Sequence, residues 1–301
     1  MLRKGIVLAG GQGTRLRPLT NGVCKPLLPI YDKPMIYYPI STLMLAGIRD
    51  IAIITAPHDR MLFERYLGDG YQWGVRFTYI DQPSPDGIAQ AYTLAENFLD
   101  GAPSTLILGD NLFFGPDLAE RLIEAAAQTE GGRIFAYEVE DPERYGVVAF
   151  DGNRVKSIVE KPSKPESNFA ATGIYFLDGD APRRARSIQP SARGELEITS
   201  LLDRYLCKGK LSVELMDRSF TWFDAGTHES LLDASVEVQK LQSSGKIVGS
   251  PEEIAFTRGW NSYDDMRASI SHLAKTKYGS VLRDITQSCL AQNAAVRPIG
   301  I

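Results

Sequence analysis

Four short apolar runs, "GIVLA" at 5–9, "IAIIT" at 51–55, "VRFTYI" at 75–80 and "TLILGD" at 105–110, are separated by long amphipathic stretches. Strand-length runs that stay apolar on consecutive positions suit strands buried on both faces. Between them, "PMIYYPISTLMLAG", "DRMLFERYLGDG" and "GIAQAYTLAENFLDG" carry apolar residues at helical spacing and finish at glycine, as helices often do. Alternation at this spacing restricts the first half to a mostly parallel sheet covered by helices on both sides. From about residue 133 the candidates "RIFAYEV", "GVVAF", "VKSIVEK" and "ATGIYFL" crowd together around a "DGN" turn, which adds mixed or antiparallel strands. After "TWFDAGT" at 221–227 the chain reads as helices nearly to its end, the first opening on a Thr227 cap with Glu229 two residues on. No internal repeat or low-complexity tract interrupts this plan.

The 301 residues are 44% apolar, enough for one α/β core with appended elements. Thirty-three basic against thirty-seven acidic side chains give a formal charge of −4, which offers no broad footprint for nucleic acid or an anionic membrane. Anion recognition must therefore be local. Cys24, Cys207 and Cys289 are odd in number and lack the close pairs of zinc or redox motifs, so a reducing, cytoplasmic setting is expected. The N-terminal apolar segment runs into Gln12 and Arg15 without a small-residue cleavage site, so no signal peptide is read there. Nor does any stretch reach the roughly 18 apolar residues of a membrane helix.

Directly after the first apolar run comes "GGQGTRLRPLT", a glycine-rich turn at the carboxyl end of a strand, where backbone N–H groups can approach phosphate oxygens. A Walker loop would need Gly-Lys-Ser/Thr, and the dinucleotide fingerprint started at Gly11 and Gly13 would need glycine where Leu16 stands. Both fail, so the loop is of another type. Arg15 and Lys25 flank it with one forked and one compact cation, a combination suited to a polyphosphate.

The string L-A-G-G-x-G-T-R-L-x-P-L-T followed by "KPLLPI" resembles the signature of the sugar nucleotidyltransferases. To about residue 285 the chain looks like their glucose-1-phosphate thymidylyltransferase branch, with "QPSPDGIAQA", "LGDNLFFG", "DPERYGVV", "EKP", "PSARGELEIT" and "WFDAGTHESLL" in order. The resemblance implies a Rossmann-like three-layer mixed, mostly parallel sheet, a requirement for Mg²⁺, and a homotetramer. It divides the chain into a core at 1–240, nucleotide-binding to about 130 and sugar-phosphate-binding beyond, with a helical extension at 241–301 belonging to the same domain. The implied reaction joins dTTP to glucose 1-phosphate with release of pyrophosphate, at the head of dTDP-rhamnose or deoxysugar synthesis.

By resemblance, Leu8, Gly10, Gly11, Gly13, Thr14, Arg15, Lys25, Gln82, Pro85, Gly87 and Asp110 bind the nucleotide, and Gln82 reads the pyrimidine edge with an amide that both donates and accepts. Asp110 ends an apolar strand at the sheet's carboxyl edge and pairs with Asp224 of "WFDAG" as the candidate metal ligands; Mg²⁺ takes only one or two protein carboxylates. Tyr145, Gly146, Glu160, Lys161, Thr172, Arg193 and Glu195 match the family's sugar-phosphate contacts. The expected catalytic set is Arg15, Lys25, Asp110, Asp224 and Lys161. No histidine, cysteine or serine arrangement accompanies these motifs, and none is needed: with a second pKa near 6, a sugar phosphate is largely a dianion at neutral pH and attacks without a base.

A second site for a dTDP-rhamnose feedback inhibitor is implied near Gly115, Glu253, Ile254 and Arg258. The chain departs from the family in having Ala119 where some members carry a longer polar residue, and Pro26 where many thymidylyl members have Gln. Two alternatives stay open: a UTP-preferring enzyme of the same family, and a catalytically silent sensor or assembly module, although the latter typically loses the loop arginine or the metal aspartates.

Overall fold

In the computed structural model, which describes residues 1–152 and 154–295, the apolar runs become β1 (Lys4–Leu8), β4 (Asp50–Thr55), β5 (Arg76–Asp81) and β6 (Ser104–Leu108), with a hairpin of β2 (Pro29–Ile30) and β3 (Lys33–Pro34) after the glycine turn. There follow β7 (Asn111–Phe114), β8 (Gly132–Glu138), β9 (Gly146–Asp151), β10 (Arg154–Glu160), β11 (Phe169–Leu177), β12 (Leu211–Met216) and β13 (Thr221–Asp224). The main sheet runs β10-β9-β11-β6-β1-β4-β5, with β8 paired to β11 and β12 to β8. The β6-β1-β4-β5 block is parallel, as the helical crossovers require. β11 is antiparallel to β6, β8 and β9, and β9 with β10 forms the expected antiparallel pair. The "DGN" turn between them includes Asn153, which lies outside the described residues.

Both faces of the sheet are covered. Ile6 and Val7, adjacent on β1, belong to two different core clusters, as do Ala52 and Ile53 on β4, because successive side chains of a strand point to opposite faces. Ile40, Leu43 and Met44 of the helix Tyr37–Leu45 pack on one side, and Ala91 and Tyr92 of Gln90–Leu94 on the other. The stretch 87–101 forms two short helices, Gln90–Leu94 and Glu96–Leu99, divided at Ala95, whose φ/ψ leaves the helical region.

Besides the two-residue strands of the β2/β3 hairpin, three strands escaped the sequence reading. β12, "LSVELM", alternates Leu211, Val213 and Leu215 and could have been found by its period of two. β7 and β13, of four residues each, are too short for periodicity, yet they pair antiparallel and set Asn111 opposite Asp224. The helix His228–Ser243 opens on the expected Thr227 cap, whose hydroxyl accepts from Ser230 N–H; Ser230, not Glu229, closes the reciprocal bond. Beyond it lie the helices Pro251–Thr257, Tyr263–Ile270 and Lys277–Ala295, with Met266, Ile270, Tyr278 and Leu282 as their own small core. Among the described residues no helix is long and apolar enough to cross a membrane.

Candidate active site

Leu8 and Leu108 end two parallel strands in register, so the turns that follow them emerge side by side at the carboxyl edge of the sheet. One turn passes through Gly10, Gly11 and Gly13 into Thr14–Leu16; the other passes through Gly109 to Asp110. At Gly10 a Cβ would overlap the Gln82 amide, so a side chain there would displace it. Gln82 is buried there, its Nε2 donating to Gln90 Oε1 at 2.8 Å.

Lys25 begins a short turn after the glycines and is almost buried, so its ammonium needs an anion. It finds the Asp110 carboxylate, with which it forms an ion pair. The other Asp110 oxygen accepts from Asn111 Nδ2 at 2.8 Å. Around this pair lie two adjoining cavities of about 200 and 180 Å³ that share Ile88, Leu108 and Asp110. The first is lined by Leu8, Gly11, Lys25 and Pro26. The second holds Arg15, Tyr145, Gly146, Glu160, Lys161 and Asp224. Asp110 therefore stands where the expected nucleotide side and sugar-phosphate side meet.

Burial opposes ionisation of Asp110, but the Lys25 ammonium and the hydrogen bonds from Lys25 and Asn111 outweigh it and hold the carboxyl below its usual range. Asp224 has the opposite fate. Burial first, and the Asp110 charge second, push it up to about 6. Its carboxylate accepts no hydrogen bond among the described residues, so this acid beside a second acid is fitted to receive a cation. No group of three or more His, Cys, Asp or Glu able to hold a metal is found among the described residues. A hard ion with oxygen ligands would thus rest on two carboxylates and complete its shell with water and phosphate.

The direction of the Asp224 shift fixes a pH dependence. A raised folded pKa means that the proton favours the folded site, and that the ionised form costs stability as pH rises through about 6. A divalent cation held at this pair would bind that ionised form, while Asp110 is held below its usual range. Mn²⁺ titration followed by electron paramagnetic resonance should show affinity falling by up to about tenfold per pH unit below ~6 and levelling above it. A flat profile from about pH 5 to about pH 7.5 would contradict the assignment.

In the second cavity, Lys161 is held at φ +40° with its N–H on Tyr145 O at 2.9 Å, and the Tyr145 ring lies 5.3 Å from Trp222. Burial, and then Glu197, push the Glu160 carboxyl up, while Thr199 donates to it at 3.2 Å. Thr172 is not in the cleft. It is fully buried with its hydroxyl on Phe135 O at 3.1 Å, because Ala171, Gly173 and Tyr175 take the cleft-facing positions of β11. Arg193 and Glu195 also lie outside both cavities. Arg193 is occupied by Glu195 at 3.0 Å, Glu197 at 3.4 Å and Glu160 at 3.7 Å. Pro85 is exposed, and the loop carrying Gly87 is tied to the same segment through Leu196 N–H on Asp86 O at 2.6 Å and Ala89 N–H on Leu196 O at 3.1 Å. Asn111, Arg144, Tyr175, Thr199 and Trp222 line the second cavity without having been singled out from the sequence. All five sat inside quoted stretches, and for Asn111 a polar side chain opening the apolar run "NLFF" was the available signal.

A separate cavity of about 650 Å³ is lined by Gly115, Ala119, Glu253 and Ile254. Arg258 does not line it; its Nη2 donates to Leu45 O at 2.7 Å, which turns the charge away.

The model of a family described as nucleotidyl transferase matches residues 4–241. A glucose-1-phosphate thymidylyltransferase of Xanthomonas campestris pv. campestris is 52% identical over 296 residues, 98% of this chain and 99% of that one. One from Neisseria gonorrhoeae is 53% identical over 281 residues, 93% of this chain and 98% of that one. Among solved structures, a Bacillus anthracis chain described as a glucose-1-phosphate thymidylyltransferase, in complex with sucrose, superposes with a TM-score of 0.73 at 41% identity, covering 79% of this chain and 95% of that one. A UDP-glucose pyrophosphorylase complexed with UDP-glucose gives 0.69 at 27% identity, over 80% and 99%.

Proposed function

The chain belongs to the nucleotidyl transferase family, and from that premise we propose that it transfers a thymidylyl group from dTTP to α-D-glucose 1-phosphate, giving dTDP-glucose and pyrophosphate. The observation that carries this reading is near-full-length identity of about one half to thymidylyltransferases. The Lys25–Asp110–Asp224 cluster at the junction of two cavities supports it. Identity to the uridylyl relative is much lower, which favours dTTP over UTP.

Lys25 and Arg15 serve the triphosphate and the departing pyrophosphate. Asp110 and Asp224 hold the divalent ion that family members generally use, which we take to be Mg²⁺; when bound it neutralises phosphate charge. Gln82 and Gly87 form the base side. Glu160 takes sugar hydroxyls, and Lys161 orients the phosphate nucleophile. For Arg193 to join Lys161 it must exchange its three carboxylates for the sugar phosphate. No histidine or cysteine lines either cavity among the described residues, so alignment and charge neutralisation do the work. The cavity near Gly115 and Glu253 is assigned to a dTDP-deoxysugar effector such as dTDP-rhamnose, acting within a homotetramer in the cytoplasm.

Pyrophosphate release, measured across dTTP and UTP and across hexose 1-phosphates, tests this. The dTTP and glucose 1-phosphate pair should turn over fastest, only with a divalent ion, and dTDP-rhamnose should depress the rate. A preference for UTP would move the chain to the uridylyl branch, and no turnover with any pair would make it a silent module.

A further inference from the structure

We propose that Asn111 is a positioning residue that commits one Asp110 oxygen, so that a cation can take only the oxygen now paired with Lys25, and so favours a small octahedral cation over a larger, more adaptable one. This rests on reading Asp110 as a cation ligand. Asn111 is only 1% exposed. Its Oδ1 accepts from two donors on two other strands, Gly173 N–H of β11 at 3.1 Å and Trp222 Nε1–H of β13 at 2.6 Å. Reversing the amide would set its own NH₂ against both donors, so only one orientation is satisfied. In that orientation Nδ2 can only point at Asp110, where it donates to Oδ1 at 2.8 Å.

Gly173 makes room for this arrangement, since a Cβ there would overlap the Asn111 amide. With Asp110 Oδ1 committed to Asn111, the oxygen left to a cation is Oδ2, which it would take from the Lys25 ammonium. Ions such as Mg²⁺ demand near-ideal octahedra and bind carboxylates sparingly, whereas Ca²⁺ accepts bidentate carboxylates in flexible shells. An aspartate with one oxygen already spoken for suits the former. Partners that orient a ligand in this way affect metal affinity nearly as much as some ligands do.

The test is binding of Mn²⁺, a small octahedral stand-in, and of Ca²⁺ to the full chain without substrates, together with thermal melting. In Asn111→Ala, Mn²⁺ affinity should fall about tenfold or more while Ca²⁺ affinity falls less, so the Mn²⁺/Ca²⁺ ratio drops. Trp222→Phe removes one donor but keeps a ring, and should shift the ratio the same way by a smaller factor. A purely structural role would lower melting and leave the ratio alone, and an unchanged ratio in both variants overturns the proposal. If Asn111→Ala does not fold, the ratio in Trp222→Phe decides. Asp110→Asn separates the two levels: Mn²⁺ binding at wild-type strength there overturns the ligand reading itself, whereas its loss alongside an unchanged ratio in the other variants overturns only the role of Asn111.

Discussion

Asp110→Asn should lower turnover by about a thousandfold or more, roughly 4 kcal/mol of barrier, while the chain still folds. The substitution keeps the shape of the side chain and its place beside Asn111, but removes the charge that two partners need. Lys25 loses its counter-ion in a nearly buried position. Asp224, pushed up by burial and by the Asp110 charge, is left as the one acid of the pair, and one carboxylate holds a divalent ion less well than two. Both losses act where charge accumulates during phosphoryl transfer, so the effect should fall mainly on kcat. Steady-state pyrophosphate release and a melting curve check it together. Near-normal turnover in a folded variant would remove Asp110 from the reaction.

The second large effect concerns stability. Lys33, at the turn of the β2/β3 hairpin, is 3% exposed, paired with Asp32 at 2.6 Å, and set over the rings of Tyr278 at 4.7 Å and Tyr38 at 5.7 Å. Tyr278 in turn donates to the buried Glu252 at 2.7 Å, whose carboxyl burial pushes up. One ammonium thus ties the hairpin that follows the glycine turn to the helices Pro251–Thr257 and Lys277–Ala295. Removing one member of a buried charge cluster leaves the others uncompensated, so Lys33→Ala should cost about 3 kcal/mol or more. For a chain of this size that lowers the melting midpoint by roughly 5 °C. The double change Lys33→Met with Glu252→Gln should recover part of the loss, because it removes the stranded acid and fills the space. A single variant that melts with the wild type would show that the cluster is not stabilising.

Sequence reading reached the parallel block because "GIVLA", "IAIIT" and "TLILGD" are apolar on consecutive positions, which only a doubly covered sheet explains. It also reached Arg15, Lys25, Asp110 and Asp224 as candidates. What it could not reach was their pairing: Lys25 and Asp110 are 85 positions apart and meet only because β1 and β6 are register neighbours. The buried side chain of Thr172 was out of reach for a related reason. Strand parity decides whether Thr172 or Ala171 and Gly173 face the cleft, and parity is invisible until the pairing of β11 with β6 and β8 is known. Arg258 shows the same limit in a helical segment, where a charged side chain near a cavity turned out to bond a carbonyl behind it.

The claim beneath these assignments is that one sugar-phosphate oxygen displaces pyrophosphate directly, with the protein supplying charge and alignment but no nucleophile of its own. The stereochemical course of reaction with dTTP made chiral at the α-phosphorus by sulfur substitution tests it most directly. A single in-line displacement inverts that centre, and inversion is the expected result. Retention would mean two displacements through a nucleotide bound covalently to the chain, and would contradict it.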